Sequence, residues 1–77
     1  MKVNVLFFGA LVEVTKLSSM VVNDVAKSEE AIELLHKKFP LLCHYKFSMA
    51  LNQNFLTDSE NLNDGDELAL LPPFAGG

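Results

Sequence analysis

An amphipathic helix predicted at Ser28–Phe39 most constrains how this chain can fold. Acidic residues at 29–30 fill its first turn and lysines at 37–38 fill its last, and both placements suit the helix dipole. Ser28 is the expected N-cap, and Pro40 should end the helix because the residue before a proline avoids the α region. A single helix in a chain of 77 residues has to bury its apolar face against a sheet.

The apolar face of that helix is broad, because its large residues recur at helical spacing. It comprises Ala31, Ile32, Leu34, Leu35 and Phe39. A chain this short buries only about 60–65% of the surface that it exposes when unfolded. We therefore expect one domain over residues 1–77, with a small core.

Five short apolar stretches are predicted to form the sheet that this helix covers. They are Val3–Phe8, Leu17–Val22, Phe47–Leu51, Phe55–Leu56 and Glu67–Leu71. Leu11–Thr15 is expected to be a hairpin-like connection, and Thr57–Asn61 a surface loop. Asn63–Asp66 should be a turn in which Gly65 takes positive φ. The first and last strands are the natural central pair and should be parallel neighbours, which predicts an α+β roll of the β-grasp, ubiquitin-like kind with a mixed sheet.

Charge and composition argue against several classes of function. The net charge is −4 and all six basic residues are lysines, so a concentrated basic face for nucleic acid is not expected. No apolar run approaches the roughly 20 residues that span a bilayer, and no secretory signal opens the chain. Residence in the cytoplasm, with no membrane partner, is therefore the expectation. The single cysteine, Cys43, rules out an intrachain disulfide.

Acidic residues gather late in the sequence, which leaves two interpretations open. They are Asp58, Glu60, Asp64, Asp66 and Glu67. The simpler interpretation is a solvated turn region. The functional interpretation is a surface that faces a basic partner and gains association rate from it.

Few side chains could support conventional catalysis. His36, Cys43 and His44 could be imagined as a nucleophile pair or as zinc ligands, but an orienting third group and a fourth ligand are missing. We expect Cys43 to be a semi-buried small hydrophobe and His36 to lie on the solvent side of the helix. No phosphate loop or serine elbow is present, so the sequence predicts neither a metal site nor an enzyme active site of the usual kind.

The last six residues are the strongest functional feature of the sequence. They are Pro72, Pro73, Phe74, Ala75, Gly76 and Gly77. Proline fixes φ and lacks an N–H, so the first proline should end the last strand and the second should hold the chain extended. Glycine has no side chain, so the final pair could pass through a narrow channel in another protein. We predict an extended tail over residues 72–77 whose working group is the carboxylate of Gly77. A frayed chain end is the ordinary alternative.

A free carboxylate is a poor electrophile, but it becomes reactive when it is joined to AMP. A partner that holds ATP and magnesium would have to grip the carboxylate of Gly77, and side chains at the last two positions would obstruct that grip. The activated acyl group could then pass to sulfide, giving a thiocarboxylate, or to an amine, giving an amide. This chain would need only a rigid body and a thin arm.

The same residues resemble the molybdopterin synthase small subunit, a family of ubiquitin-like sulfur carriers. The resemblance lies in Asn63–Asp66, the strand that follows, Pro72–Pro73 and Gly76–Gly77, with further similarity at Val5–Gly9 and Ala50–Asn52. It covers most of the chain, and its specific part is the pair of prolines followed by the pair of glycines. A terminal glycine pair alone is shared with ubiquitin and with the sulfur carrier of the thiamine pathway.

The resemblance implies a reaction cycle and its partners. An adenylyltransferase of the ubiquitin-activating type would use ATP and magnesium to adenylate Gly77, and sulfur would then be loaded as a thiocarboxylate. The tail would enter the large, catalytic subunit of molybdopterin synthase, with Pro72, Pro73, Phe74, Ala75 and Gly76 in contact with the partner. There the sulfur would pass to precursor Z (cyclic pyranopterin monophosphate), twice for each dithiolene. This chain would bind no cofactor of its own, and the assembly would be a heterotetramer.

Other functions remain open on the sequence alone. The chain could carry sulfur for thiamine synthesis or another thiolation pathway, or it could be a ubiquitin-like modifier conjugated through Gly77. It could also be a plain interaction module. In each case so small a domain cannot bury all of its large apolar side chains near the tail. We therefore expect an exposed apolar patch that includes some of Leu71, Phe74 and one of Phe55 and Leu56.

Overall fold

The computed structural model describes residues 2–56 and 58–72. Its strands are β1 (Lys2–Phe7), β2 (Ser19–Asn23), β3 (Ser48–Leu51), β4 (Asn54–Phe55) and β5 (Glu67–Leu71). Its helices are α1 (Ala10–Thr15), α2 (Ser28–Lys38) and a 3₁₀ helix at Pro40–His44. All five predicted strands are present, and the last one has the predicted bounds.

The five strands form one mixed sheet in the order β2-β1-β5-β3-β4. β1 and β5 are parallel neighbours, as predicted, with Val5 opposite Leu68 and Phe7 opposite Leu70. The other neighbouring strands are antiparallel. A mixed sheet with α2 packed on one face is the β-grasp architecture that the sequence predicts.

The core lies between the sheet and α2, and alternate residues of the central strands point into it. Its fully buried members include Val3, Val5, Leu68, Leu70, Ala31 and Leu35. Phe39, at the end of α2, meets Phe7 of β1 edge to face, with ring centroids 6.2 Å apart. Burial of one leucine contributes about 1.5–3 kcal/mol, so these contacts fix the position of α2 across β1 and β5.

The start of α2 differs from the prediction that Ser28 caps it. Lys27 is the N-cap residue, and its N–H and that of Ala26 donate to the carboxylate of Glu30 at 3.0 and 2.7 Å. Ser28 is fully buried as the first helical residue, and its hydroxyl accepts the N–H of Glu60 at 2.9 Å. Ser28 therefore anchors the loop before β5 to the helix instead of capping it.

The prediction that Leu11–Thr15 is a hairpin-like connection is wrong. These residues belong to the short helix α1. Leu11 and Thr15 lie one turn apart and are both buried. The Thr15 hydroxyl donates to the carbonyl of Leu11 at 3.0 Å and accepts the N–H of Leu17 at 3.2 Å. Lys16 then ends the helix in the left-handed region, at φ 64°.

Two turns lie at the same end of the sheet and are tied together. Gly65 adopts φ +86° in the predicted turn before β5, and its N–H donates to the carbonyl of Lys2 at 2.7 Å. Asn52 and Gln53 join β3 to β4, also with positive φ. The side-chain amide of Asn52 donates to Asp66 at 3.0 Å and its carbonyl accepts the N–H of Glu67 at 3.0 Å. The start of β5 is thereby fixed.

Candidate functional site at the end of β5

The candidate site begins where β5 ends, at Leu71, with Pro72 directly after it. β5 lies between β1 and β3, so the chain leaves the sheet from its middle and not from an edge strand. The N–H of Phe8 donates to the carbonyl of Leu70 at 3.2 Å, which continues the parallel ladder one residue beyond β1. We call this end of the sheet the exit end, and the opposite end, where β5 begins at Glu67, the far end.

Gly9 lies against Pro72 at the exit end. Its φ of 59° and ψ of −136° belong to a region that is essentially restricted to glycine. A Cβ on Gly9 would lie only 2.8 Å from Cγ of Pro72. The corner between β1 and α1 is thus shaped to receive the ring of Pro72. The contact of Gly9 with Pro72 is long-range, so no local sequence pattern indicates it.

Five of the six predicted site residues lie outside the described part of the chain. They are Pro73, Phe74, Ala75, Gly76 and Gly77. Pro72 is described, is half-buried and follows the last residue of β5, so the prediction that it ends the strand is confirmed. The predicted extension of the tail and the role of the Gly77 carboxylate stay predictions.

An apolar surface lies on the face of the sheet that α2 leaves uncovered. Cross-strand pairs share a face, and register places Leu6 beside Ala69, Ala69 beside Ala50, and Ala50 beside Phe55. Leu71 lies on the same face beside Ser48. We call the apolar members of this set, Leu6, Ala50, Phe55, Ala69 and Leu71, the outer face.

The outer face is partly open to solvent and reaches the exit end. Phe55 is 61% exposed, while Leu6, Ala69 and Leu71 are half-buried. Phe8, which follows β1 at the exit end, is 42% exposed. An apolar surface next to a chain exit is suited to docking a partner that also receives the chain. The prediction that not all of Leu71, Phe74 and one of Phe55 and Leu56 are buried agrees with the exposure of Phe55. Leu6 was not singled out from the sequence because β1 is apolar on both faces.

The predicted acidic cluster does not surround the exit. Asp64, Asp66 and Glu67 lie at the far end, in and after the turn before β5. The Asn63 N–H and the Asn52 side-chain amide donate to the Asp66 carboxylate at 2.7 and 3.0 Å, and they hold its pKa below the ordinary value of 3.8. These contacts make Asp66 part of the turn structure, in keeping with the simpler of the two interpretations.

The three residues considered for catalysis or metal binding are not brought together. Cys43 is exposed in the 3₁₀ helix, so the prediction of a semi-buried thiol is wrong. His36 is half-buried against Phe47, with ring centroids 6.3 Å apart, so its predicted solvent-facing position is also wrong. Among residues 2–56 and 58–72, no three His, Cys, Asp or Glu side chains are grouped so that they could hold a metal ion.

Within the same residues, no helix combines the length and apolarity needed to cross a membrane.

Comparison with known proteins identifies relatives of the whole chain. The ThiS family matches residues 5–77. The molybdopterin synthase sulfur carrier subunit of Mycobacterium tuberculosis is 37% identical over 81 residues, covering 99% of this chain and 98% of the relative.

Solved structures agree with the sequence comparison. Subunit 1 and 2 of the molybdopterin-converting factor of Helicobacter pylori were solved as a complex, and the matching chain is 30% identical with a TM-score of 0.76 and complete coverage of both chains. The small archaeal modifier protein 1 of Methanosarcina acetivorans is 25% identical with a TM-score of 0.86, covering 99% of this chain and 96% of that one. Both share the β-grasp architecture described above.

Proposed function

Because the chain belongs to the ThiS family, we propose that it is the sulfur carrier subunit of a molybdopterin synthase. The observation that carries the proposal is the full-length similarity, at 37% identity, to a protein that bears this name. The complex of subunits 1 and 2 in the Helicobacter pylori relative supports a large subunit as the binding partner. We further propose that the assembly is a cytoplasmic heterotetramer in which two copies of this chain serve two large subunits.

The proposed chemistry takes place on the carboxylate of Gly77. An adenylyltransferase of the ubiquitin-activating type joins the carboxylate to AMP at the expense of ATP, with magnesium, and releases pyrophosphate. A sulfur nucleophile then attacks the acyl carbon and AMP leaves, so one carboxylate oxygen is replaced by sulfur. In the large subunit the thiocarboxylate gives its sulfur to precursor Z, and Gly77 returns to a carboxylate after reaction with water. None of these steps assigns a catalytic side chain to this chain.

The contribution of this chain is to bind and to position. The outer face offers an apolar docking surface of which Phe55 is the most exposed member. The β5 strand, held on both sides by β1 and β3, gives the tail a rigid base. Pro72 begins the tail against Gly9 at the exit end. A partner that grips the outer face would thus find Pro72, the first residue of the tail, at a fixed position.

Deletion of Gly77 tests the proposal. The truncated chain should keep its circular dichroism spectrum and melting temperature, because the deleted residue comes after the last strand in the sequence. Reconstitution with the adenylyltransferase, a sulfur donor, the large subunit and precursor Z should then yield no molybdopterin. The full-length chain is the control in the same assay. A folded, truncated chain that supports full molybdopterin synthesis would contradict the proposal.

A second candidate function is protein modification through Gly77. Its support is the similarity in fold and sequence to the small archaeal modifier protein 1, at a TM-score of 0.86 and 25% identity. In that case the adenylate would be attacked by a lysine amine of a target protein, giving an isopeptide bond and AMP. Tagged chain expressed in its own cells, analysed on denaturing gels and by mass spectrometry, should show lysine-linked adducts that disappear with the Gly77 deletion.

A further inference from the structure

The charges of this chain are divided along the sheet, although its net charge of −4 conceals the division. β2 and β3 run antiparallel to their central neighbours, so Ser19 and Ser48 lie at the exit end, beside Leu6 and Leu71. Lys16 and Lys46 each precede one of these strands by two or three residues, and both are exposed. They therefore lie on the two sides of the strand from which Pro72 leaves.

The end of α2 adds to the positive charge at the exit end. α2 starts at the far end, where Lys27 bridges to Asn61 in the loop before β5. It finishes at the exit end, as the contact of Phe39 with Phe7 demonstrates. Its last turn carries Lys37 and Lys38, which are exposed.

The count of charged groups at the two ends is unequal. Among the residues that the structure describes, the exit end holds Lys16, Lys37, Lys38 and Lys46, with the carboxylate of Glu13 in α1 beside them. The far end holds Asp24, Glu29, Glu30, Glu60, Asp64, Asp66 and Glu67 against Lys2 and Lys27. Asp58 follows β4, which runs toward the exit end, and lies near Met49 and Leu56. Glu33 lies in the middle of α2. The exit end is thus positive on a protein that is negative as a whole.

Salt screening keeps the two ends electrically separate. Pro72 lies six residue steps along the extended chain from Asp66, which at about 3.3 Å per step is about 20 Å. The Debye length at physiological ionic strength is about 8 Å. The field around the exit is therefore governed by the nearby lysines and not by the more numerous carboxylates of the far end.

We propose that the exit end is an electrostatic docking surface for the large subunit, and that the mouth of the channel receiving the tail is bordered by carboxylates. This inference rests on the proposed function and adds the chemistry of the partner surface to it. The lysines flank the exit of the tail, so charge attraction would orient the chain with its tail toward the channel before the outer face makes contact. The far end, with its opposite sign, would be repelled from the same mouth.

The test compares charge reversal at the two ends in the full chain. The exit variant carries Lys16→Glu and Lys46→Glu, and the far-end variant carries Glu29→Lys and Glu60→Lys, all at exposed positions. Binding to the purified large subunit is measured by titration calorimetry at several salt concentrations. At low salt the exit variant should bind about tenfold more weakly than the parent chain. Near 1 M salt, where the Debye length is about 3 Å, the two dissociation constants should differ by less than about twofold.

The far-end variant should change the dissociation constant by less than about twofold at every salt concentration. Circular dichroism and thermal melts confirm that both variants are folded. An exit variant that binds as well as the parent chain, or more tightly, would overturn the inference and leave the proposed function standing. A larger loss for the far-end variant would do the same and would favour a basic partner surface there. A parent chain that never binds the large subunit would overturn the proposed function as well.

Discussion

Gly9 and Pro72 are far apart in the sequence but so close in the fold that a single added carbon would bring them into collision. A Cβ on Gly9 would lie 2.8 Å from Cγ, 3.5 Å from Cδ and 3.8 Å from Cβ of Pro72. Real Cβ atoms essentially never approach another heavy atom within 3.0 Å, so one of the two residues would have to move. Because Pro72 is the first residue of the predicted tail, the contact links the turn after β1 to the direction of the tail.

Gly9→Ala should therefore impair function beyond its effect on stability. The positive φ costs about 1–3 kcal/mol for a residue other than glycine, and displacement of Pro72 should slow sulfur transfer by about tenfold or more in the reconstituted synthase. Gly65→Ala is the matched control, because Gly65 also has positive φ but nothing within 4 Å of an added Cβ. It should lose stability in urea denaturation and keep its transfer rate once folded.

Rescue would separate displacement of Pro72 from backbone strain. In Gly9→Ala combined with Pro72→Ala, the Cγ and Cδ atoms are absent and the nearest remaining contact is an ordinary 3.8 Å. The double variant should transfer sulfur faster than Gly9→Ala alone. Equal transfer rates in Gly9→Ala and Gly65→Ala would show that the contact does not aim the tail.

Phe55→Ser tests the outer face as the docking surface. Phe55 is 61% exposed, so its loss should change the free energy of unfolding by less than about 0.5 kcal/mol. Loss of an aromatic anchor from an interface commonly costs more than about 1 kcal/mol, so the dissociation constant for the large subunit should rise by about fivefold or more. Titration calorimetry measures the difference.

Leu41→Ser provides the control for that measurement. Leu41 is also 61% exposed, but it lies in the 3₁₀ helix Pro40–His44 and not on the outer face. Its affinity for the large subunit should match that of the parent chain. If Leu41→Ser weakened binding as much as Phe55→Ser, the interface would have to be placed on the helical side.

Asp66→Asn should alter how stability depends on pH. The N–H of Asn63 and the amide of Asn52 stabilise the charged carboxylate and lower its pKa. The contribution of Asp66 to stability is then fully present above pH 3.8 and is lost as the pH falls through the lowered, folded-state pKa. Urea midpoints measured from neutral pH downward should converge for the parent and the variant in acid. A difference that stays constant at all pH values would contradict this account.

The sequence predicts the sheet well because its signals are long and consistent. β5 is an apolar stretch that Pro72 closes, so its bounds follow from residue types. The structure adds the alternation, with Leu68 and Leu70 buried and their neighbours half-buried. The amphipathic pattern of α2 likewise leaves little choice of position. That β1 and β5 are parallel neighbours then follows from the order of the elements.

What the sequence does not predict depends on short elements and on contacts between distant residues. α1 has six residues, of which Leu11 and Thr15 are buried, and its β-branched content reads equally well as an extended connection. Cys43 and His36 were assigned from average preferences, whereas the path of the 3₁₀ helix exposes the thiol and Phe47 covers the imidazole. The contact between Gly9 and Pro72 has no local signature at all.

Intact mass spectrometry of this chain after sulfur loading tests the central proposal most directly. The chain is incubated with the adenylyltransferase, ATP, magnesium and a sulfur donor. We predict a gain of about 16 Da that requires ATP and that fragmentation assigns to Gly77, as replacement of one oxygen by sulfur demands. An unchanged mass, or a gain of about 32 Da carried by Cys43 as a persulfide, would contradict the proposal that the carboxylate of Gly77 carries the sulfur.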